Sequence, residues 1–309
     1  MERTVSDAAV ARDTVLAESD WHAREQSHTE RVDRFVEPHQ QRARRGEAHP
    51  VWDFLFTYYS LRPKHLRRWH PGFGTRLAGR SAHRYLDRAG YGGVDNGGVG
   101  KGNDTVGVTR DYLATRLDTV EFIADLVHAT AQRPARLNCF GLHEWAMVYR
   151  APEVRHEQVP LRLGGAGTDA VVESMPLRCS HFDAYRFFTA EAAPRNAEHL
   201  TRRDQVAHEQ PGCLHAAMDL YKWSFKLGPL IDSELVQDCL DLAADARELD
   251  MRASPYDLTG YGFDPITIET PAGRAEYVRA QQDVADRGAP LRAALADRCD
   301  LLLTAVRDG

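Results

Sequence analysis

The chain has 309 residues, 43% of them hydrophobic and 27% charged, with a formal net charge of −6; this balance supports a buried core and excludes a fibrous or wholly disordered chain. No apolar run approaches the roughly 20 residues that a membrane-spanning helix needs, since the best one, Val51 to Leu61, is interrupted by Asp53. Met1 to Val15 mixes acids and bases and lacks the apolar centre of a secretory signal, so a cytoplasmic protein without a membrane partner is expected.

Residues 17–45 are rich in Arg, Glu and Gln, with Trp21, Val32, Phe35 and Val36 near helical spacing. That pattern predicts a loosely packed helical arm over residues 1–46, ahead of a main helical domain over 47–309. After Pro50, residues Val51, Phe54, Leu55, Tyr58 and Tyr59 recur at the i, i+3, i+4 spacing of a buried helix face, and Arg62–Pro63 ends the run. The Gly-rich stretch 90–102 reads as a flexible loop; a phosphate-binding loop would need Ser or Thr after Lys101, where Gly102 stands. A helix follows from about Val108 to Gln132, with Leu113, Leu117, Val120, Ile123, Ala124 and Val127 along one side. Gly-rich turns flanking Val171 and Val172 predict a short β hairpin near 158–178. Three helices close the chain: Cys213 to Leu227, Ser233 to Leu249 behind Asp232 or Ser233 as cap, and one opening at Thr270–Pro271 with Leu291, Leu295, Leu301 and Leu302 inward. The expected fold is therefore a single globular, mainly α domain with a small β element.

Charge is unevenly spread. Residues 31–80 carry eleven Lys/Arg and four Asp/Glu, while 231–309 carry eight against sixteen, so a basic face is expected near the N-terminal third. Four segments set acids or bases among aromatics inside apolar text, which is costly unless the charges are paired or used. They are CFGLHEWAMVYR (139–150), HFDAYRFF (181–188), EQPGCLHAAMDLYKW (209–223) and RELDMRASPYDL (247–258). On a helix His215 and Asp219, four apart, share one face with Lys222 nearby. That arrangement suits either an Asp-oriented imidazole base or a metal cluster of His143, His181 and His215 completed by Glu144, Asp183 or Asp219. Asp250 and Arg252 place a charged pair at a helix end. Five widely spaced cysteines without a Cys-x-x-Cys pair read as reduced thiols, with Cys139 or Cys213 as the candidates for a nucleophile.

Together the motifs HPVWDFLFTYYSLRP (49–63), RRWHPG (67–72), CFGLHEWAMVYR, HFDAYRFF, QPGCLHAAMDLYKW and ELDMRASPYDL resemble an actinobacterial family commonly labelled 3-methyladenine DNA glycosylase, over about residues 29–300. The chain is not similar to the helix-hairpin-helix or HEAT-repeat glycosylases. The resemblance implies excision of alkylated purines such as 3-methyladenine from double-stranded DNA, without a cofactor. Under it, Asp183, His215, Asp219 and Asp250 would be catalytic, and Glu144, Trp145, Tyr185, Tyr221, Trp223 and Arg252 would hold the flipped base. Arg62, Lys64, Arg67 and Arg68 would meet the phosphates. The alternative is a small-molecule enzyme with a buried His/Asp/Glu pocket in the helices, its cofactor a divalent metal. A third reading is a ligand-binding protein using the same pocket.

Overall fold

The computed structural model describes residues 14–94, 105–152 and 159–307, and most of the expected Gly-rich loop lies outside the described residues. Helices in chain order are α1 (Glu18–Arg45), α2 (Phe54–Thr57), α3 (Pro63–Leu66), α4 (Arg110–Ala114), α5 (Leu117–Ala131) and α6 (Leu142–Ala146). They continue with α7 (Gly164–Ser174), α8 (Phe182–Tyr185), α9 (Gln205–His208), α10 (Leu214–Lys226), α11 (Ser233–Arg252) and α12 (Pro271–Arg307). Strands β1 (Thr14–Leu16), β2 (Thr75–Leu77), β3 (Tyr91–Val94) and β4 (Thr105–Val108) form one mixed sheet in the order β1-β2-β4-β3. β1 runs parallel to β2, with Thr14 opposite Thr75, and the other two pairings are antiparallel. The mainly α class with a small β element is thus correct, and among the described residues no helix is long and apolar enough to cross a membrane.

The core is built by α5, α10, α11 and α12 packed on one another. Helix α11 starts where the sequence signals it: Asp232 accepts a hydrogen bond from the Leu235 amide at 3.0 Å, satisfying one of the amides that a helix start leaves without a partner. Helix α12 opens in the same way, with the Thr270 hydroxyl accepting from the Gly273 amide and Pro271 at the first helical position. Gly273 is dictated by space, because a Cβ there would lie 2.0 Å from the Thr267 carbonyl oxygen.

The structure corrects several local expectations. No hairpin forms in the described part of 158–178; residues 164–174 are helical because Thr168, Val171 and Val172 bury one face at i, i+3, i+4 spacing, a period of 3.6 rather than 2. The β element lies instead at Thr14–Leu16 and between 75 and 108. Helix α1 does not pack loosely. It buries Trp21, His28, Val32 and Val36, and its Arg31 and Arg34 bond Asp238 and Asp241 of α11. The helix expected from Val108 is broken at 115–116 into α4 and α5, and the run after Pro50 yields only the single turn α2. Leu301 faces solvent while Leu295 and Leu302 are buried.

Candidate metal centre

The first half of the site comes from the 139–150 segment. Gly141, at φ +70°, has a Cβ position only 3.3 Å from the Ala253 methyl, so glycine lets the chain press α6 against the end of α11. That turns His143 and Glu144 inward. His143 Nε2 lies 2.7 Å from Asp250 Oδ1, and its Nδ1 lies 3.4 Å from Cys139 Sγ. Arg247, one turn before Asp250 on α11, donates to Glu144 Oε1 at 2.9 Å and Asp250 Oδ2 at 3.2 Å. Its guanidinium covers the Phe54 ring. Burial opposes charge on His143, but Asp250 and Cys139 outweigh it and hold its pKa well above the usual imidazole range.

The second half joins α8, α9 and α10. His181 Nε2 is 3.2 Å from Glu209 Oε1 and 3.3 Å from Asp219 Oδ2. Neither approach has hydrogen-bond geometry, and both His181 nitrogens, together with Asp219 Oδ1, are buried without a hydrogen-bond partner. Burial works against a charged His181 ring, yet Glu209 and Asp219 prevail and push its pKa up to about 9. Lys222 donates at 2.9 Å to both Asp219 Oδ2 and Asp183 Oδ2, tying α10 to α8. Burial penalises the Asp219 carboxylate too, but Lys222 and His181 hold its pKa below the usual range.

His215 stands between the halves. Its ring centroid is 4.6 Å from that of His143 and 5.3 Å from that of His181. Burial, reinforced by His143, His181 and Arg247, pushes its pKa well down; the ring is neutral, and its buried Nδ1 has no hydrogen-bond partner. In two groups, His143–His215–Asp250 and His181–Glu209–Asp219, one donor atom per residue lies within 4.8 Å of every other, and all six residues are buried. Nitrogen and carboxylate donors of this kind suit divalent transition metals. The orphaned nitrogens and the Asp219 oxygen are the polar atoms that an ion would satisfy, so the residues fit such a group.

The three expected histidines and Asp219 and Asp250 therefore converge, with Asp183 attached through Lys222. Glu144 serves Arg247. Glu209 was not singled out, although it opens the 209–223 segment: its six-residue separation from His215 matches no helical period, because the turn at Pro211–Gly212 intervenes.

The residues expected to hold a base are spread through the packing. The Trp145 indole donates to the Ala253 carbonyl, and Tyr185 packs in a separate small cluster with Cys179, Ala184 and Leu200. Tyr221 and Trp223 are buried, their hydroxyl and indole N–H without hydrogen-bond partners, and Arg252 donates to the Asp264 carbonyl. Of the expected phosphate contacts, Arg67 turns to Asp33 and Gln40, while Arg62, Lys64 and Arg68 are exposed. Of the basic N-terminal segment, Arg31 and Arg34 meet Asp238 and Asp241 of the acidic C-terminal one where α1 packs on α11. Burial pushes the Cys213 thiol well up, which removes it as a nucleophile.

Neither a family model, nor a curated protein, nor a solved structure matches the chain. The expectation of an alkylpurine DNA glycosylase is therefore corrected. Nothing ties the molecule to DNA, and its buried chemistry is carried by two imidazole–carboxylate groups able to coordinate a metal. Fold and site define a mainly α-helical protein with two such clusters, joined through His215.

Proposed function

We propose that this chain is a metal-dependent enzyme for a small molecule, binding divalent transition metal at His143–His215–Asp250 and at His181–Glu209–Asp219. One observation carries the reading: six buried donors gathered in two compact groups, with four of their polar atoms left without hydrogen bonds. Buried polar atoms call for a partner, and these four belong to imidazole and carboxylate groups already gathered within ligating distance of one another. Two imidazoles with one carboxylate match the ligand set of non-haem iron and of catalytic zinc. One imidazole with two carboxylates favours a harder ion such as manganese or iron. Lys222 binds Asp219 Oδ2 and leaves Oδ1 to a metal, Arg247 binds Asp250 Oδ2, and both limit the negative charge in the interior. An ion held there would act as a Lewis acid or redox centre.

Elemental analysis of the purified protein, and rebinding of Mn²⁺, Fe²⁺, Co²⁺ and Zn²⁺ after chelation, test the proposal. The expected result is one to two ions per chain. Asp250→Asn with His143→Ala should remove one of them, and Glu209→Gln with His181→Ala the other. Absence of a stoichiometric ion under all conditions, or retention of metal in both double variants, overturns it. Turnover of small substrates is expected only from the metal-loaded wild-type protein.

A further inference from the structure

A second feature sits at the other end of α11. A cleft of about 200 Å³ opens among α3, the segment through His70, Arg88, α4, the end of α10 and the start of α11. Ser233 and Val236 line it. Asp250 lies fourteen residues further along the same helix, roughly 21 Å away at 1.5 Å per residue. None of the six donors of the metal-binding groups lines the cleft.

Its lining has a single sign of charge. Arg68 and Arg88 face it beside the imidazoles of His28, His65 and His70, and no Asp or Glu does. Arg68 is exposed, and its side chain has neither an ion pair nor a hydrogen bond among the described residues. Arg88 is held by cation–π stacking on Tyr85 at 4.0 Å and a long 3.5 Å contact to the Trp69 carbonyl, with no carboxylate. Glu234, which acts electrostatically on His28, is turned to Arg24 and the Trp69 indole. His70 uses Nδ1 with the Tyr91 hydroxyl at 2.7 Å. The floor is apolar, made by Leu66, Phe225, Ile231 and Val236. Six arginines elsewhere, Arg24, Arg31, Arg42, Arg67, Arg247 and Arg298, are paired with carboxylates, whereas no ion pair is found for Arg68 or Arg88 among the described residues. At this cleft two guanidinium groups line one concave, apolar-floored surface to which no carboxylate contributes.

We infer that this cleft binds a small organic anion, its carboxylate or phosphate head between Arg68 and Arg88 and its apolar body on the Leu66–Phe225–Ile231–Val236 floor. Guanidinium groups bind such heads through paired charge-assisted hydrogen bonds, and a concave surface of one charge concentrates the opposite ion. Apolar walls with a few convergent polar groups are the usual form of a small-molecule site.

Calorimetric titration of the intact protein with benzoate and with phenyl phosphate tests the inference, with benzyl alcohol as the neutral control. Saturable binding of at least one anion is expected, and the preferred probe identifies the head group. Arg68→Met and Arg88→Met should each weaken it about tenfold or more, the cost of a lost charged hydrogen bond. Arg68 is exposed and unpaired, so its replacement leaves the fold intact even if Arg88→Met does not. Failure of both anions to saturate at millimolar concentration, equal binding of benzyl alcohol, or unchanged affinity in Arg68→Met overturns the inference.

Discussion

Replacing Arg247 by Met probes the interior network most directly. Arg247 is 1% exposed, bonds Glu144 and Asp250 and lies with its guanidinium carbon 3.9 Å from the Phe54 ring centre. Methionine keeps most of the aliphatic stem and removes the charge, leaving Glu144 without its salt bridge in the interior. Asp250 keeps its contact with His143, so the loss falls mainly on one carboxylate. Breaking a buried pair from one side costs about 3–5 kcal/mol, and the lower end, about 3 kcal/mol, is expected here. That is a large share of the roughly 5–15 kcal/mol typical of a folded domain. Urea unfolding at neutral pH should show a lower midpoint with an unchanged slope. Adding Glu144→Gln should recover part of the loss, since a neutral amide replaces a buried carboxylate that has lost its guanidinium. A loss below about 1 kcal/mol in Arg247→Met, a value typical of an exposed ion pair, or no recovery in the double variant, would refute the argument that these charges hold one another in the core.

Gly273→Ala should lower stability by about 3 kcal/mol or more through overpacking, because the new methyl would meet backbone at 2.0 Å; thermal unfolding reads this, and an unchanged midpoint would contradict the close approach. Asp232→Ala should cost about 1 kcal/mol as a lost helix cap, together with its contact to Arg298, and wild-type stability would show that the cap is idle. Burial in the cleft wall, aided by the positive charges of Arg88, His28 and Arg68, brings the pKa of His70 down to about 3 from an ordinary 6.5. The unfolded chain then takes up a proton as pH falls below 6.5 while the folded one does not, so stability present above that pH drains away toward pH 3. Because the ring is only partly buried, the loss is set at about 2 kcal/mol by pH 4 rather than the full linkage value. Denaturation at pH 7 and pH 4 should show a smaller decline in His70→Gln than in wild type, and equal declines would remove His70 as the cause.

The sequence by itself determined the helices whose apolar stripes are long and whose ends are marked. α5, α10, α11 and α12 follow from 3.6-residue periodicity, the Asp232 cap and the Thr270–Pro271 start, because these signals act within a few residues along the chain. It also singled out His143, His181, His215, Asp219 and Asp250, since ionisable groups in apolar text must be paired or used. Only the tertiary structure decided what those residues do together. The pairing of His143 with Asp250 spans 107 positions, and no local period encodes it; it depends on Gly141 letting α6 approach α11. Glu209 joins His181 through a turn and was invisible for the same reason. The basic segment reads as a face for nucleic acid, but two of its arginines, Arg31 and Arg34, meet acids some 200 residues away where α1 lies along α11. The 164–174 segment misled because glycines and a Val pair suit both a turn-flanked strand and a helix, and burial of Thr168 with Val171 and Val172 settled it. Local patterning sets which faces are apolar, whereas partners for buried charge are chosen only when distant faces close on one another.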